Sequence, residues 1–222
     1  MGGLDTFGPP MGTSTELPAR LPFLDARAKA RAVAAVKAFE EETCAELVIS
    51  VKKHARTYPE VHLLYGSVFA LLTLLFLLFY PLDFSTTMMP IDTLVGFAVG
   101  NVLSRILPPL QLLAIGEAKR RGFVEQAAKA TFVDLGVSRT TGRTGVLVYV
   151  ALFERMVAIV ADAGITPEAK SAAESSRAAL EAALKSLDIR AFAGTLEALG
   201  KTFGETMQRS ADDVNELPDE IS

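Results

Sequence analysis

The fold is decided by the stretch SRTTGRTGVLVYVALFERMVAIVADAGI, residues 138–165. It contains two β-branched runs, 145–152 and 156–161, which predict two strands. The three-residue link between them, 153–155, is short enough that the strands pair as an antiparallel hairpin. Two strands alone do not make a stable sheet, because three or more are needed to cover an apolar face. A further strand must therefore come from elsewhere in the chain.

The further strand is predicted at residues 45–51, AELVISV, a short apolar run that follows an alanine-rich helix pattern. Asp25 stands where it can cap that helix, and Thr166 and Asp188 are well placed to start two helices after the hairpin. These elements predict an α/β domain of three layers, with helices around a sheet of about three strands. We expect strand 45–51 to lie parallel to strand 145–152.

A long apolar segment separates the first strand from the hairpin. Residues 61–80, VHLLYGSVFALLTLLFLLFY, carry no formal charge. About 20 helical residues at 1.5 Å each span roughly 30 Å, the thickness of a bilayer core, so this run predicts a transmembrane helix. A second, weaker run at about 93–115 contains Pro108 and Pro109. Two spans return the chain to the side it left, which allows the flanking halves to form one domain.

The second run also contains small and charged residues that suggest how it packs. Gly96 and Gly100 form a GxxxG pattern, which lets two helix backbones approach closely. The partner of this pattern is either the first span or another subunit. Arg105 would either extend to the nearer membrane surface or face the first helix.

Charge predicts the topology and excludes some partners. Lysine and arginine residues flank both spans, but the connecting loop has none, so the positive-inside rule places both flanks in the cytoplasm. The net charge of −4 gives no indication of nucleic-acid binding. The N-terminal residues lack the pattern of a signal peptide. Gly2 and Thr6 match a myristoylation pattern, and the alternative is a flexible leader.

The chain therefore divides into five predicted parts. They are a leader at 1–22, a first part of the α/β domain at 23–60, a membrane hairpin at 61–116, a second part of the domain at 117–208 and an acidic tail at 209–222.

The loop GVSRTTGRTG, residues 136–145, is not a phosphate-binding P-loop. Gly136 and Gly142 are one residue too far apart, Arg143 stands in place of the lysine, and the loop leads into a strand and not into a helix. Two alternatives stay open: a looser anion site that uses Arg139 and Arg143, or an ordinary loop of solvated residues.

The predicted strand pairing gathers four polar residues at one end of the sheet: Glu46, Arg143, Thr144 and Asp162. Two carboxylates beside a hydroxyl could hold Mg²⁺ or Ca²⁺, with Glu46 and Asp162 as ligands, or position a water for hydrolysis. The alternative is a brace in which the arginine pairs with a carboxylate to close the sheet edge.

The tip of the hairpin is predicted at the opposite end of the sheet, towards the membrane. Glu154 and Arg155 at this tip form either a solvated ion pair or a contact that seats the domain on the membrane helices.

The segments TCAELV (43–48) and RTGVLVYVALFERMVAIVADAGI (143–165) resemble the TPM-domain family. The likeness is closest to its membrane-bound bacterial branch, which has a hydrophobic hairpin inserted after the first strand. The resemblance implies a Rossmann-like α/β/α fold in the bacterial inner membrane. The chain lacks the tryptophan that often follows the motif, and Phe203 precedes Gly204 where a Phe-Pro is usual. The motif positions are Glu46, Arg143, Thr144, Glu154, Arg155 and Asp162.

The family implies two functions. Chloroplast-lumen members have a proposed phosphatase activity and a suggested divalent metal, whereas other members resemble assembly or accessory factors of membrane complexes. No convincing nucleophile emerges from the sequence, so we expect a membrane-tethered cytoplasmic interaction or assembly module. Its partners would be the bilayer and either a membrane protein complex or a second copy bound through the GxxxG helix. The alternative is a weak, metal-dependent phosphatase at the Asp162 end of the sheet.

Overall fold

The computed structural model describes residues 25–81 and 84–209. The predicted leader with Gly2, and all but the first residue of the predicted tail, lie outside the described residues. The elements are α1 (Ala26–Glu42), β1 (Glu46–Lys52), α2 (Pro59–Phe79), α3 (Met89–Ile106), α4 (Pro108–Ala114), α5 (Glu117–Asp134), β2 (Gly145–Ala151), β3 (Met156–Ala161), α6 (Pro167–Ser186) and α7 (Ile189–Thr206).

The described strands form one mixed sheet in the order β1-β2-β3. β1 lies parallel to β2, with Glu46 opposite Gly145, and β3 lies antiparallel to β2, with Ala161 opposite Val146. The predicted parallel pairing across the long insertion is therefore confirmed. β2 is the central strand and all seven of its residues are buried, which accounts for its unbroken apolar sequence.

Side chains of β2 alternate between the two faces of the sheet, as the two-residue period of a strand requires. Val146, Val148 and Val150 belong to a core shared with α1, α6 and α7. Leu147 and Tyr149 belong to a second core, shared with α5. Helices therefore cover both faces of a small sheet, and the protein has a mixed α/β fold.

Local signals in the sequence set several of the helix ends. Thr166 accepts a hydrogen bond from the Ala169 N–H at 3.3 Å, and Asp188 caps α7 through the N–H groups of Arg190 and Ala191. Both predicted caps are confirmed. Asp25 occupies the N-cap position of α1, but its carboxylate makes no capping hydrogen bond. The predicted position of this cap is therefore confirmed, whereas its hydrogen bond is absent.

α2 and α3 form an antiparallel helical hairpin that follows β1 in the chain. The two glycines of the GxxxG pattern face α2 of the same chain. A Cβ added at Gly96 would overlap the Thr73 hydroxyl, and one added at Gly100 would overlap the Tyr65 carbonyl oxygen. Of the two partners considered for this pattern, the structure places α2 of the same chain against it.

The second apolar run is not one continuous helix but is divided into α3 and α4, and the span over about 93–115 stays a prediction. α3 and α4 are bent by 99° at the break between them. Pro108 is the physical cause, because it lacks an N–H and drives the residue before it out of the helical region. Leu107 accordingly has φ −108° and ψ 90°. Among the described residues, α2 alone is long and apolar enough to cross a membrane, and α3 with α4 is a second candidate only if the bent pair counts as one span.

Candidate functional site

The first candidate region is the end of the sheet that carries Glu46, Arg143, Thr144 and Asp162, here called the Asp162 edge. β1 begins at Glu46, β2 begins just after Thr144, and β3 ends just before Asp162. The Glu46 N–H donates to the Thr144 carbonyl at 3.2 Å, and the Asp162 N–H donates to the Gly145 carbonyl at 3.0 Å. The structure thus brings all four predicted residues to one end of the sheet.

Arg143 and Asp162 form the predicted brace. The Arg143 guanidinium lies 3.2 Å from Oδ1 of Asp162. The carboxylate is 5% exposed, whereas the arginine side chain is 63% exposed, so solvent screens the pair from one side only. The same Oδ1 accepts the Ala163 N–H at 2.6 Å. Oδ2 of Asp162 is buried and has no hydrogen-bond partner among the described residues.

Two loops interlock to hold this pair. Arg143 adopts a left-handed backbone with φ +52°, and its N–H donates to the Thr140 carbonyl at 3.0 Å. The Gly164 N–H donates to the Arg143 carbonyl at 2.9 Å. A Cβ at Gly164 would overlap the Gly142 carbonyl oxygen, so the close approach of the two loops requires a glycine here. Arg143 is therefore positioned by its backbone hydrogen bonds as well as by its ion pair with the Asp162 carboxylate.

The two predicted metal ligands lie on the same face of the sheet but are not neighbours. Glu46 and Asp162 flank Gly145 on either side, so their Cα atoms are two strand spacings apart, or about 10 Å. The space over Gly145 is filled by the backbone and side chain of Val137. Within residues 25–81 and 84–209, no three His, Cys, Asp or Glu side chains are grouped so that they could hold a metal ion. The Mg²⁺ or Ca²⁺ site stays a prediction.

The second candidate region is the hairpin tip, and here the solvated-pair alternative was wrong. Glu154 is 2% exposed. Its carboxylate accepts the Tyr58 hydroxyl at 2.6 Å and the Ala55 N–H at 3.1 and 3.2 Å. Arg155 is exposed, has φ +54°, and forms no ion pair with Glu154 in the described part of the chain. The tip residue therefore ties the segment before α2 to the α/β domain.

Aromatic side chains surround this carboxylate and connect three parts of the molecule. Tyr58, at the N-terminal end of α2, packs with Phe153 of the tip and Phe123 of α5, each at 6.0 Å between ring centroids. Ile115, which follows α4, completes the cluster. We call this cluster the junction. Burial, together with the hydrogen bond to Glu154 and its charge, raises the pKa of Tyr58 far above its usual value. The phenol therefore stays a donor at any physiological pH.

Among the buried polar residues that sequence reasoning missed, two contact the hairpin tip and strand β3. One is Tyr58, which the sequence marks only by the Pro59 that follows it. The other is Glu181 on α6, which accepts hydrogen bonds from Arg121 at 3.0 Å and from the outward N–H of Val157 on edge strand β3 at 3.3 Å. A lone glutamate beside Leu180 and within the apolar stripe of α6 was the available signal.

The charge of Glu181 is stabilised by its neighbours. Burial by itself raises the pKa of this carboxyl, but the hydrogen bonds from Arg121 and Val157 and the positive charges of Arg121 and Arg177 together bring the pKa below its usual value. Glu181 thus protects a free edge of the sheet as an ionised acceptor.

Comparisons with known proteins support the fold alone. No family model and no curated protein matches the chain. The chain is similar to a solved structure, the NMR structure of the BA42 protein from the psychrophilic bacterium Bizionia argentinensis, with 18% sequence identity and a TM-score of 0.55. The alignment covers 90% of this chain and 94% of that one. At this identity the likeness supports a shared mixed α/β architecture and gives no information about activity.

Proposed function

We propose that the protein is a membrane-tethered interaction or assembly module. In this proposal α2 and α3 cross the inner membrane as a hairpin, both termini and the α/β domain lie in the cytoplasm, and the domain binds a membrane protein complex. The observation that carries the proposal is the apolar outer surface of the helical hairpin. Large side chains are exposed along both helices, among them Leu71, Phe79 and Leu94 at 56, 81 and 67%. Exposed apolar surface that continues along two whole helices is rare on proteins that face only water.

The dimensions of the hairpin fit a bilayer. The 21 residues of α2 are about 32 Å long and the 18 residues of α3 about 27 Å, close to the roughly 30 Å of a hydrocarbon core. The 99° bend would then lay α4 along the membrane surface, just before the cationic segment at Lys119. Lys52 and Lys53 precede α2 on the same side. This distribution of charge supports a cytoplasmic domain.

We also propose membership in the TPM-domain family, with its Rossmann-like layering. Three motif residues have roles in this chain that do not require catalysis: Glu154 accepts hydrogen bonds at the junction, and Arg143 braces Asp162. These structural contacts account for the three motif residues without any catalytic step. These roles favour the interaction module over an enzyme.

A metal-dependent phosphatase at the Asp162 edge is the second candidate. One observation favours it, the buried Oδ2 of Asp162 that no described group satisfies. A carboxylate oxygen of this kind is a suitable ligand for Mg²⁺ or Ca²⁺. Phosphate-ester hydrolysis by the detergent-solubilised protein should be assayed with each metal, with Asp162→Asn as the variant and Asp134→Asn, an exposed residue of α5, as the control. Activity lost only in Asp162→Asn would support the enzyme over the module.

Crosslinking in native membranes, followed by affinity capture, tests the interaction module. We expect one or a few membrane proteins to be recovered reproducibly with the wild type. Because the exposed outer face of the hairpin would carry part of the contact, Leu94→Asn should recover less partner than Val133→Asn, an exposed change on α5. Capture of the protein alone, without partner and without a second copy, would count against the proposal.

A further inference from the structure

A cavity of about 390 Å³ lies where the α/β domain meets the helical hairpin, and we call it the junction cavity. Its domain side is formed by Leu152 after β2 and by Leu184 near the end of α6, both buried. Its other side is formed by α4, through Pro108 and Leu112. The walls are therefore apolar, and one of them is the helix that follows the bend at the end of the second apolar run.

The open rim of the junction cavity is basic. Lys53, His54 and Arg155 line it, and no acidic side chain does. In the described part of the chain neither Lys53 nor Arg155 forms an ion pair. The nearest acid in sequence, Glu154, is buried and turned towards the Tyr58 hydroxyl. Two cations converge on an apolar cavity and leave it with uncompensated positive charge.

We propose that the junction cavity binds the headgroup of an anionic phospholipid. Lys53 and Arg155 would bind the phosphate, and the first carbons of an acyl chain would lie against Leu112 of α4. The volume suits a headgroup with the start of its chains. Basic pockets beside membrane helices on the cytoplasmic side are suited to such lipids. This inference rests on the proposed membrane tether, because only then does the cavity lie at headgroup depth.

The test compares phosphatidylglycerol, phosphatidylcholine and inorganic phosphate. Purified full-length protein in mild detergent is titrated with each, and bound lipid is counted by native mass spectrometry while the melting temperature is followed. We expect one phosphatidylglycerol to be retained and to raise the melting temperature, whereas phosphatidylcholine and phosphate do neither. The double variant Lys53→Gln with Arg155→Gln should bind phosphatidylglycerol at least about tenfold more weakly, since each cation near an anionic headgroup contributes about a fivefold factor.

A second double variant controls for net charge: Lys170→Gln with Arg190→Gln removes two exposed cations elsewhere in the domain. It should bind phosphatidylglycerol as the wild type does. Equal binding of both lipids, equal binding by the cavity variant, or saturation by phosphate alone would each overturn the inference. Membrane insertion is scored separately, by flotation with phosphatidylcholine vesicles. Protein that floats but shows no preference for phosphatidylglycerol refutes the lipid site alone, whereas protein that does not float refutes the tether.

Discussion

Glu154 shows how far the role of one residue depends on distant parts of the chain. Its position at a hairpin tip suggests exposure, because tips normally point into solvent. Its donors, the Ala55 N–H and the Tyr58 hydroxyl, lie about a hundred residues earlier in the sequence. No local pattern predicts that the segment after β1 passes over the tip. The location of this residue could be predicted from the hairpin, but its burial could not.

Replacing Glu154 should therefore destabilise the protein more than a tip residue ordinarily does. Glu154→Ala leaves one buried donor, the Tyr58 hydroxyl, and one partly buried donor, the Ala55 N–H, without their acceptor. We expect a loss of about 2–4 kcal/mol in the free energy of unfolding. Tyr58→Phe removes one of the hydrogen bonds and should cost about 1–2 kcal/mol. Denaturant unfolding in detergent micelles measures both. The matched control is Arg155→Asn, which changes the exposed neighbour and tolerates its positive φ. A midpoint for Glu154→Ala equal to that of Arg155→Asn would contradict the assignment.

Glu181 should make stability depend on acid pH. Its pKa in the folded protein is below the ordinary 4.5, so its contribution is fully present above about pH 4.5 and is lost as pH falls through the lower folded value. The variant Glu181→Gln should be less stable than the wild type at pH 7, and the difference should shrink below pH 4.5. Unfolding midpoints between pH 3 and 7 measure this. A difference that does not change with pH would show that the charge of Glu181 contributes nothing.

The elements differ in how much of them the sequence predicts. The three strands were placed to within about one residue, because β-branched runs bounded by turn residues are strong local signals. The break in the second apolar run was not predicted, although Pro108 and Pro109 were visible, because the run was judged by its length and composition. The angle between α3 and α4 is 99°. It depends on how α4 packs against α2, where the Tyr65 hydroxyl donates a hydrogen bond to the Leu110 carbonyl at 2.9 Å.

The packing of α2 on α3 predicts opposite effects for one substitution at two helical glycines. Gly100→Ala puts a methyl group against the Tyr65 carbonyl oxygen and should lower the melting temperature. Gly122→Ala, in α5, meets nothing within 4 Å and should raise stability by up to about 1 kcal/mol through helix propensity alone. Thermal unfolding in detergent compares the two. If Gly100→Ala melts as high as Gly122→Ala, the two helices do not pack through this face.

At the scale of the whole molecule, one domain is assembled from two stretches of sequence on either side of an apolar hairpin. The sequence predicted this assembly, because neither stretch has enough strands for a sheet. Tyr58, which precedes α2, and Ile115, which follows α4, belong to one buried cluster, so the chain enters and leaves the hairpin at neighbouring points. The Asp162 edge was predictable for the same reason: strand pairing alone brings its members together.

Excising the hairpin should therefore leave a soluble domain. We expect a variant in which a short glycine-serine linker replaces residues 62–113 to be monomeric in water and to keep the circular dichroism of a mixed α/β protein. It should also be released from membranes by alkaline carbonate, whereas the full chain stays in the pellet. An excised variant that is unfolded or aggregated would mean that the domain depends on the hairpin for its core.

Thiol labelling of the two ends of the hairpin tests the central claim, a membrane hairpin with a cytoplasmic domain, most directly. Cys44 is the single native cysteine, so a Cys44→Ser background accepts one probe at a time. Ser85→Cys lies in the loop between α2 and α3, and Ser175→Cys lies on the exposed surface of α6. In intact bacterial cells a membrane-impermeant maleimide should label the first, and it should label the second only after permeabilisation. Labelling of both probes from the same side of the membrane would contradict the account.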